Sequence, residues 1–176
     1  MMKDFNSIKL LILDNDGVLT DGSIIYDDQK IESKNFSAKD GLGIRLWQQA
    51  NLQLAVISGR SSNVLTRRCS DLGIDHLYQG VRNKLQKTRE LLKELSLDWR
   101  NVAYLGDDWN DFSAMKYCEI SAVPADSFPD IQEKVDIVLT RNGGKGAVRE
   151  FIELILKKKG ILDESINSFI QKLDSF

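Results

Sequence analysis

Two carboxylates, Asp14 and Asp16, close an apolar run in LLILDNDGVLTDG, residues 10–22. Like charges this near raise each other's cost of ionisation unless something positive sits between them. The pair is therefore either splayed into solvent or gathered on a cation. Further along, LAVIS ends in Ser58-Gly59-Arg60 and VAYL ends in Gly106-Asp107-Asp108-Trp109-Asn110-Asp111, while Lys84 opens a helical pattern after a loop. Singly, each is ordinary: acids at strand ends are commonly surface residues, Ser-Gly-Arg is common turn chemistry, and a lone lysine is usually solvated. In this order they supply the parts of a phosphoryl-transfer site. Oxygen donors such as Asp14 and Asp107 suit Mg²⁺. One carboxylate can accept a phosphoryl group, and a second, two residues on, can protonate the leaving alkoxide and then activate water. The Ser58 hydroxyl and the Lys84 ammonium would hold phosphate oxygens and offset charge in the transition state.

Such residues act together only if the chain brings them to one edge. Short apolar runs at 9–13, 52–57, 102–105, 120–123 and 137–139 alternate with amphipathic patterns at 41–50, 62–72, 84–95, 110–117, 129–134 and 147–158. Strands alternating with helices predict an α/β, doubly wound (Rossmann-like) parallel sheet covered on both faces. In such sheets ligands bind beyond the carboxyl ends of the strands, where all the motifs above fall. One stretch, SIIYDDQKIESKNF at 23–36, breaks the alternation and reads as an inserted β-hairpin. There is no room for a separate cap domain between Asp16 and Ser58. The expectation is one domain over 1–176, with an apolar-striped tail from about 160 in which Ile166, Phe169, Ile170 and Leu173 share a helix face.

The 176 residues, 42% hydrophobic and 28% charged with a formal net charge of −2, predict a globular core and argue against nucleic-acid or anionic-membrane partners. The beginning of the chain shows no signal core and no run reaches membrane-spanning length, so a cytoplasmic protein is expected. Cys69 and Cys118 read as two reduced thiols. Other phosphatase chemistries lack residues. His76 is the only histidine, and the positions six beyond the two cysteines hold Asp75 and Pro124 instead of the arginine a cysteine phosphatase needs. Trp47 reads as core, while Trp99 and Trp109 fall near loops, with the site mouth the less favoured place for Trp109.

The ordered set Asp14-x-Asp16-Gly-Val, Ser58-Gly-Arg, Lys84 and Gly106-Asp-x-x-x-Asp111 resembles the four motifs of the haloacid dehalogenase superfamily of phosphatases. The resemblance implies that Asp14 is the nucleophile and Asp16 the general acid/base. It places Mg²⁺ on Asp14, Asp107 and the Asp16 backbone carbonyl. Ser58, Gly59 and Lys84 would bind phosphate, Asp111 would orient the lysine or a metal-bound water, and Asp108 would support them. DGVLTDG, the hairpin, SAKDGLG at 37–43, GRSS at 59–62, HLYQG at 76–80 and GGKGAVRE at 143–150 are similar to the capless sugar-acid phosphatases of that superfamily. That likeness implies hydrolysis of 3-deoxy-D-manno-octulosonate 8-phosphate (KDO 8-phosphate) for lipopolysaccharide synthesis, in a homotetramer whose neighbours help close each site. It makes Arg60 and Arg68 anchors for the substrate's carboxylate, since arginine binds carboxylates bidentately. Arg60, where a related nine-carbon sugar-acid phosphatase carries an acid, favours the eight-carbon substrate.

Three alternatives stay open at this point: the nine-carbon substrate, a phospho-acceptor receiver domain, and a non-catalytic oligomerisation domain on the same scaffold. The DxD spacing at the first strand disfavours a receiver. The sequence also departs from the family pattern. Asn15 stands where an apolar residue is commoner, and strand alternation predicts that its side chain points away from those of Asp14 and Asp16. Lys145 replaces a frequent arginine, and Asn142 precedes the glycine pair.

Overall fold

The structure, a computed structural model, describes residues 3–174; residues 1–2 and the last two of the tail, 175–176, lie outside the described residues. Strands β1 (Leu10–Leu13), β4 (Gln53–Ile57), β5 (His76–Tyr78), β6 (Val102–Leu105), β7 (Ile120–Val123) and β8 (Ile137–Val138) form one parallel sheet in the order β5-β4-β1-β6-β7-β8. Strands β2 (Ile25–Tyr26) and β3 (Glu32–Ser33) form a separate antiparallel pair, the expected hairpin. The chain winds from β1 out to β5 and returns to β6 on the other side of β1. The crevice beside β1 is thus the switch point where ligands of such sheets bind.

The central strands are apolar along their whole length because both faces are covered. Leu11 and Leu13 of β1, Leu54 and Val56 of β4, and Ala103 and Leu105 of β6 face one core. Helices α1 (Ala38–Gln49), α2 (Asn63–Leu72) and α6 (Ala147–Lys158) cover that face. Leu10, Ile12, Ala55, Ile57, Val102 and Tyr104 face the other core, covered by α3 (Lys84–Glu94), α4 (Trp109–Met115) and the short α5 (Pro129–Gln132). Trp47 is fully buried, as expected, with its indole N–H on the Gln53 carbonyl, and both cysteines are buried free thiols. Helix α7 (Leu162–Asp174) lies on α1 and α6. Its stripe divides: Ile166 and Phe169 pack on the core, whereas Ile170 and Leu173 are exposed. Among the described residues no helix is long and apolar enough to cross a membrane.

Most boundaries fall within two residues of the sequence expectation, and two elements depart further. Strand β5 is not among the apolar runs of the sequence, because three half-buried residues at a sheet edge leave no such run to read. Helix α1 begins three residues before 41, because Ser37 caps it by accepting from the Asp40 N–H and the polar first turn hides the apolar period. Asp40 also has a distant role. It is 1% exposed and accepts from the N–H groups of Gly146 (3.2 Å) and Arg149 (2.8 Å), supplying the side-chain cap that α6 lacks locally. Gly43 allows this approach, since a Cβ there would lie 2.9 Å from the Arg149 Cα. Asp40→Ala is expected to destabilise the protein by about 1–3 kcal/mol through two orphaned donors, one buried and one partly buried, with Asp40→Asn less harmful. Denaturant midpoints check this.

Candidate active site

β1 ends at Leu13, and the Asp14 N–H extends the ladder to the Leu105 carbonyl at 3.0 Å. This fixes the Asp14 side chain beyond the strand end, where it is buried. The chain then turns sharply: the Asn15 carbonyl accepts from the N–H groups of Val18, Leu19 and Thr20. Gly17 sits in this turn at φ +88°, and a Cβ there would run into the Asp107 carboxylate. Asp107 therefore reaches the Asp14 loop only across glycine.

Lys84, at the first turn of α3, is 1% exposed. Its Nζ lies 2.8 Å from Asp14 Oδ1 and 2.7 Å from Asp111 Oδ1. The Tyr104 hydroxyl donates to the same Asp111 oxygen at 2.9 Å, and Asp111 Oδ2 accepts from the Asp107 N–H at 3.3 Å. Carboxylate oxygens of Asp14, Asp107 and Asp111 lie within 4.8 Å of one another. Burial first, then Asp111, pushes Asp14 up to about 7 despite Lys84. Burial, then Asp14 and Asp111, pushes Asp107 up to about 9. Burial works against the Lys84 ammonium, but Asp111 and Asp14 outweigh it and raise it above the ordinary lysine value.

One ammonium cannot balance three carboxylates in a site this dry. The donor set, all hard oxygens around a gap that only glycine at 17 leaves open, fits a divalent cation such as Mg²⁺.

The remaining predicted residues fall around a cavity of about 400 Å³ lined by Asp14, Asp16, Gly59, Arg60, Asp107 and Asp108, with Trp109 and Asn110 at its side. Ser58, at the end of β4, is buried, and its Oγ accepts from the Arg60 N–H at 3.2 Å, leaving its own proton to donate. Arg60 donates to the Tyr26 hydroxyl (2.6 Å) and Glu32 (3.3 Å) of the hairpin, and its Nε lies 3.9 Å from Asp16 Oδ2. Asp108 caps α4 by accepting from the Trp109 N–H.

Arg68 is not gathered with the others. Its guanidinium donates to the Ser37 carbonyl at 3.1 Å and lies over the Phe36 ring, and it lines neither this cavity nor the one beside the hairpin. Each helical turn carries the chain about 5.4 Å onward, so a shared helix face two turns from the loop does not reach the strand ends.

Asn15 also differs from expectation. Its Nδ2 donates to Asp16 Oδ1 at 2.9 Å, because strand alternation stops at Leu13 and says nothing about the turn beyond it. Two further residues were missed. The Lys34 side chain is fully buried with its Nζ 2.6 Å from Asp16 Oδ1, a contact that a polar hairpin sequence does not signal. Tyr104 carried a usable signal, since a hydroxyl inside an apolar central strand must find a buried partner.

Three carboxylates and a buried ammonium thus gather beside the cavity at the carboxyl edge of the sheet, with the buried Ser58 at the end of the neighbouring strand. The chain belongs to the haloacid dehalogenase-like hydrolase family, whose profile matches residues 76–152, and it is a phosphatase of that family. Its relatives narrow the class. The 3-deoxy-D-manno-octulosonate 8-phosphate phosphatase of Salmonella typhi is 43% identical over 165 residues, which cover 94% of this chain and 88% of that one. The crystal structure of the Moraxella catarrhalis phosphatase of the same name, in complex with magnesium ion, phosphate ion and a KDO molecule, matches with a TM-score of 0.90. It is 39% identical and covers 94% and 95% of the two chains. The cobalt-bound form of the Haemophilus influenzae deoxy-D-mannose-octulosonate 8-phosphate phosphatase matches with a TM-score of 0.89 at 39% identity, over 94% and 98%.

Proposed function

We propose that this chain hydrolyses KDO 8-phosphate to KDO and phosphate, with Asp14 as nucleophile and Asp16 as general acid/base. The observation that carries the reading is the buried Asp14–Lys84–Asp111 arrangement beside a cavity that Asp16 and Arg60 share. The named relatives support the substrate.

In this reading Lys84 and the Ser58 hydroxyl hold the phosphate oxygens. Asp14 attacks phosphorus and carries the phosphoryl group as an aspartyl-phosphate. Asp16 gives a proton to the leaving sugar oxygen, then takes one from the water that releases phosphate. Asp111, fixed by Tyr104, keeps Lys84 aimed at Asp14. Asp14, Asp107 and the Asp16 carbonyl would hold Mg²⁺, which when bound neutralises the carboxylates and the phosphate they face. Arg60, projecting at the cavity mouth, is placed to meet the sugar acid's carboxylate.

The exposed Ile24, Ile25, Tyr26 and Ile31 of the hairpin favour packing on a neighbouring subunit, because two strands of two residues each are not stable in water alone. A cytoplasmic homotetramer serving lipopolysaccharide precursor synthesis is the assembly and setting we infer.

The test is phosphate release from KDO 8-phosphate beside nine-carbon sugar-acid phosphates and hexose phosphates, with Mg²⁺ and with chelator. Turnover concentrated on KDO 8-phosphate and lost with chelator is expected; preference for a nine-carbon sugar would move the substrate and keep the chemistry.

The raised carboxylates give a pH signature. The folded metal-free protein binds these protons more tightly than the unfolded chain does. The stability this contributes is fully present below the unfolded carboxylate value of 3.8 and is lost as pH rises through about 7 for Asp14 and about 9 for Asp107. Mg²⁺ competes with the protons for the same oxygens. Without metal the melting temperature is expected to fall from about pH 5 to about pH 9, and the rise on adding Mg²⁺ to be largest at the alkaline end. Melting curves with and without Mg²⁺ check this, and a Mg²⁺ effect that shrinks with rising pH would contradict it.

A further inference from the structure

The proton-transferring role of Asp16 needs its carboxyl held in one orientation, and the structure shows what holds it. Two donors converge on one oxygen: Lys34 Nζ at 2.6 Å and Asn15 Nδ2 at 2.9 Å both meet Asp16 Oδ1. The other oxygen, Oδ2, has among the described residues only Arg60 Nε, at 3.9 Å, and belongs to a residue lining the cavity with Asp14 and Asp107. The Lys34 side chain is fully buried and its ammonium is 3.4 Å from Glu32, so it is anchored in the hairpin. The Asn15 amide cannot be turned over, because its carbonyl oxygen would then face the carboxylate.

Asn15 also carries a penalty. Its Oδ1 is buried with no hydrogen-bond partner among the described residues, although the residue is only 1% exposed. A buried orphan acceptor destabilises, and an apolar side chain would avoid it. At Oδ1 the amide is therefore unfavourable for the fold, while its Nδ2 donates to the carboxyl beside it.

Resting on the phosphatase reading above, we propose that Asn15 and Lys34 are positioning residues that clamp Asp16 by Oδ1 and leave Oδ2 as the oxygen that exchanges the proton. As the bond from phosphorus to the sugar oxygen breaks, its electron pair stays on that oxygen and the proton moves to it from Oδ2. In the second half, water bonds to phosphorus, its proton passes to Oδ2, and the bond between phosphorus and Asp14 breaks. Both halves use the same oxygen, so one fixed rotamer serves both. The hairpin, through Lys34, thereby becomes part of the site.

The experiment compares the full chain with Lys34→Met, Lys34→Arg and Asn15→Val at saturating Mg²⁺. The substrates are KDO 8-phosphate, whose alkoxide needs a proton to leave, and 4-nitrophenyl phosphate, whose phenolate leaves unaided. The quantity is kcat/KM, which reports steps up to departure of the alcohol. A positioned general acid contributes roughly 10²–10⁴-fold. Lys34→Met is expected to lower kcat/KM on the sugar phosphate by about 30-fold or more and on the aryl phosphate by less than about 3-fold, with Lys34→Arg recovering most of the loss. Asn15→Val should show the same split more weakly, about 5-fold, together with a higher melting temperature. Equal losses on both substrates, or no loss on either, would overturn the clamp while leaving the phosphatase reading intact. Unmodified protein that releases phosphate from neither substrate would overturn that reading and the clamp with it.

Discussion

Asp14→Asn is expected to lower turnover of KDO 8-phosphate by roughly 10⁴-fold or more, the scale on which removal of a nucleophile acts, and to stabilise the metal-free protein above pH 7. The two effects share a cause. Asp14 is buried beside Asp111, which together push its carboxyl up to about 7, so at alkaline pH its charge is held against the preference of the fold. The amide keeps the shape and an acceptor for Lys84 but carries no charge. It also cannot bond to phosphorus and later release it. The gain in melting temperature should grow as pH rises from about 4 towards about 7 and level off beyond, because the unmodified protein loses its proton over that window. Phosphate release and melting curves at several pH values check both halves. Retained turnover, or a variant that is less stable at pH 8 without metal, would contradict them.

Lys84→Met should do the reverse to stability and the same to activity. Among the described residues the ammonium is the one cation in direct contact with Asp14 and Asp111, at 2.8 and 2.7 Å, and methionine fills similar space without charge. Breaking a buried pair by removing one partner destabilises by about 3–5 kcal/mol, because the other charges stay buried. The loss should shrink as pH falls, since Asp14, pushed up to about 7, can then protonate. Activity should fall roughly 10²–10³-fold, the range for removing one preorganised donor from a developing anion. Denaturant midpoints at pH 6 and pH 8 and steady-state rates measure the two effects. Activity within tenfold of the unmodified protein would mean that Lys84 supports the fold and not the reaction.

The placement of the candidate site was legible because its motifs lie where the sequence is least ambiguous. An apolar strand that stops at Asp14, another that stops at Ser58 and a third that stops at Gly106-Asp107 mark three points on one sheet edge. Parallel winding then brings them together without further information. Helix periodicity located α6 at its observed bounds and the stripe of α7, but it could not say what α7 packs on; the answer, α1 and α6, is a property of the fold. The failures have a common origin in direction. Period-two alternation is valid inside β1 and not in the turn after Leu13, so Asn15 was pointed the wrong way. A helix face gives an angle around α2 and not a distance from the site, and within this chain Arg68 rests on Phe36 and Ser37, outside the cavity. Lys34 reaches Asp16 from 18 residues away through a hairpin whose own polarity predicts solvent.

The same contacts tie the hairpin to an uncapped site. Tyr26 and Glu32 hold Arg60, and Lys34 holds Asp16, so the hairpin braces both groups that would meet the sugar side of the substrate. A deletion that shortens the hairpin is therefore not a neutral surface change.

The measurement that tests the central claim most directly is a rapid acid quench of the unmodified protein turning over KDO 8-phosphate with Mg²⁺, followed by peptide mapping. The predicted result is a phosphoryl group on Asp14, present during turnover, absent with chelator, and labile to hydroxylamine as an acyl phosphate must be. KDO release with no phosphoprotein, or with the phosphoryl group on another residue, would contradict the assignment of Asp14 as the attacking group.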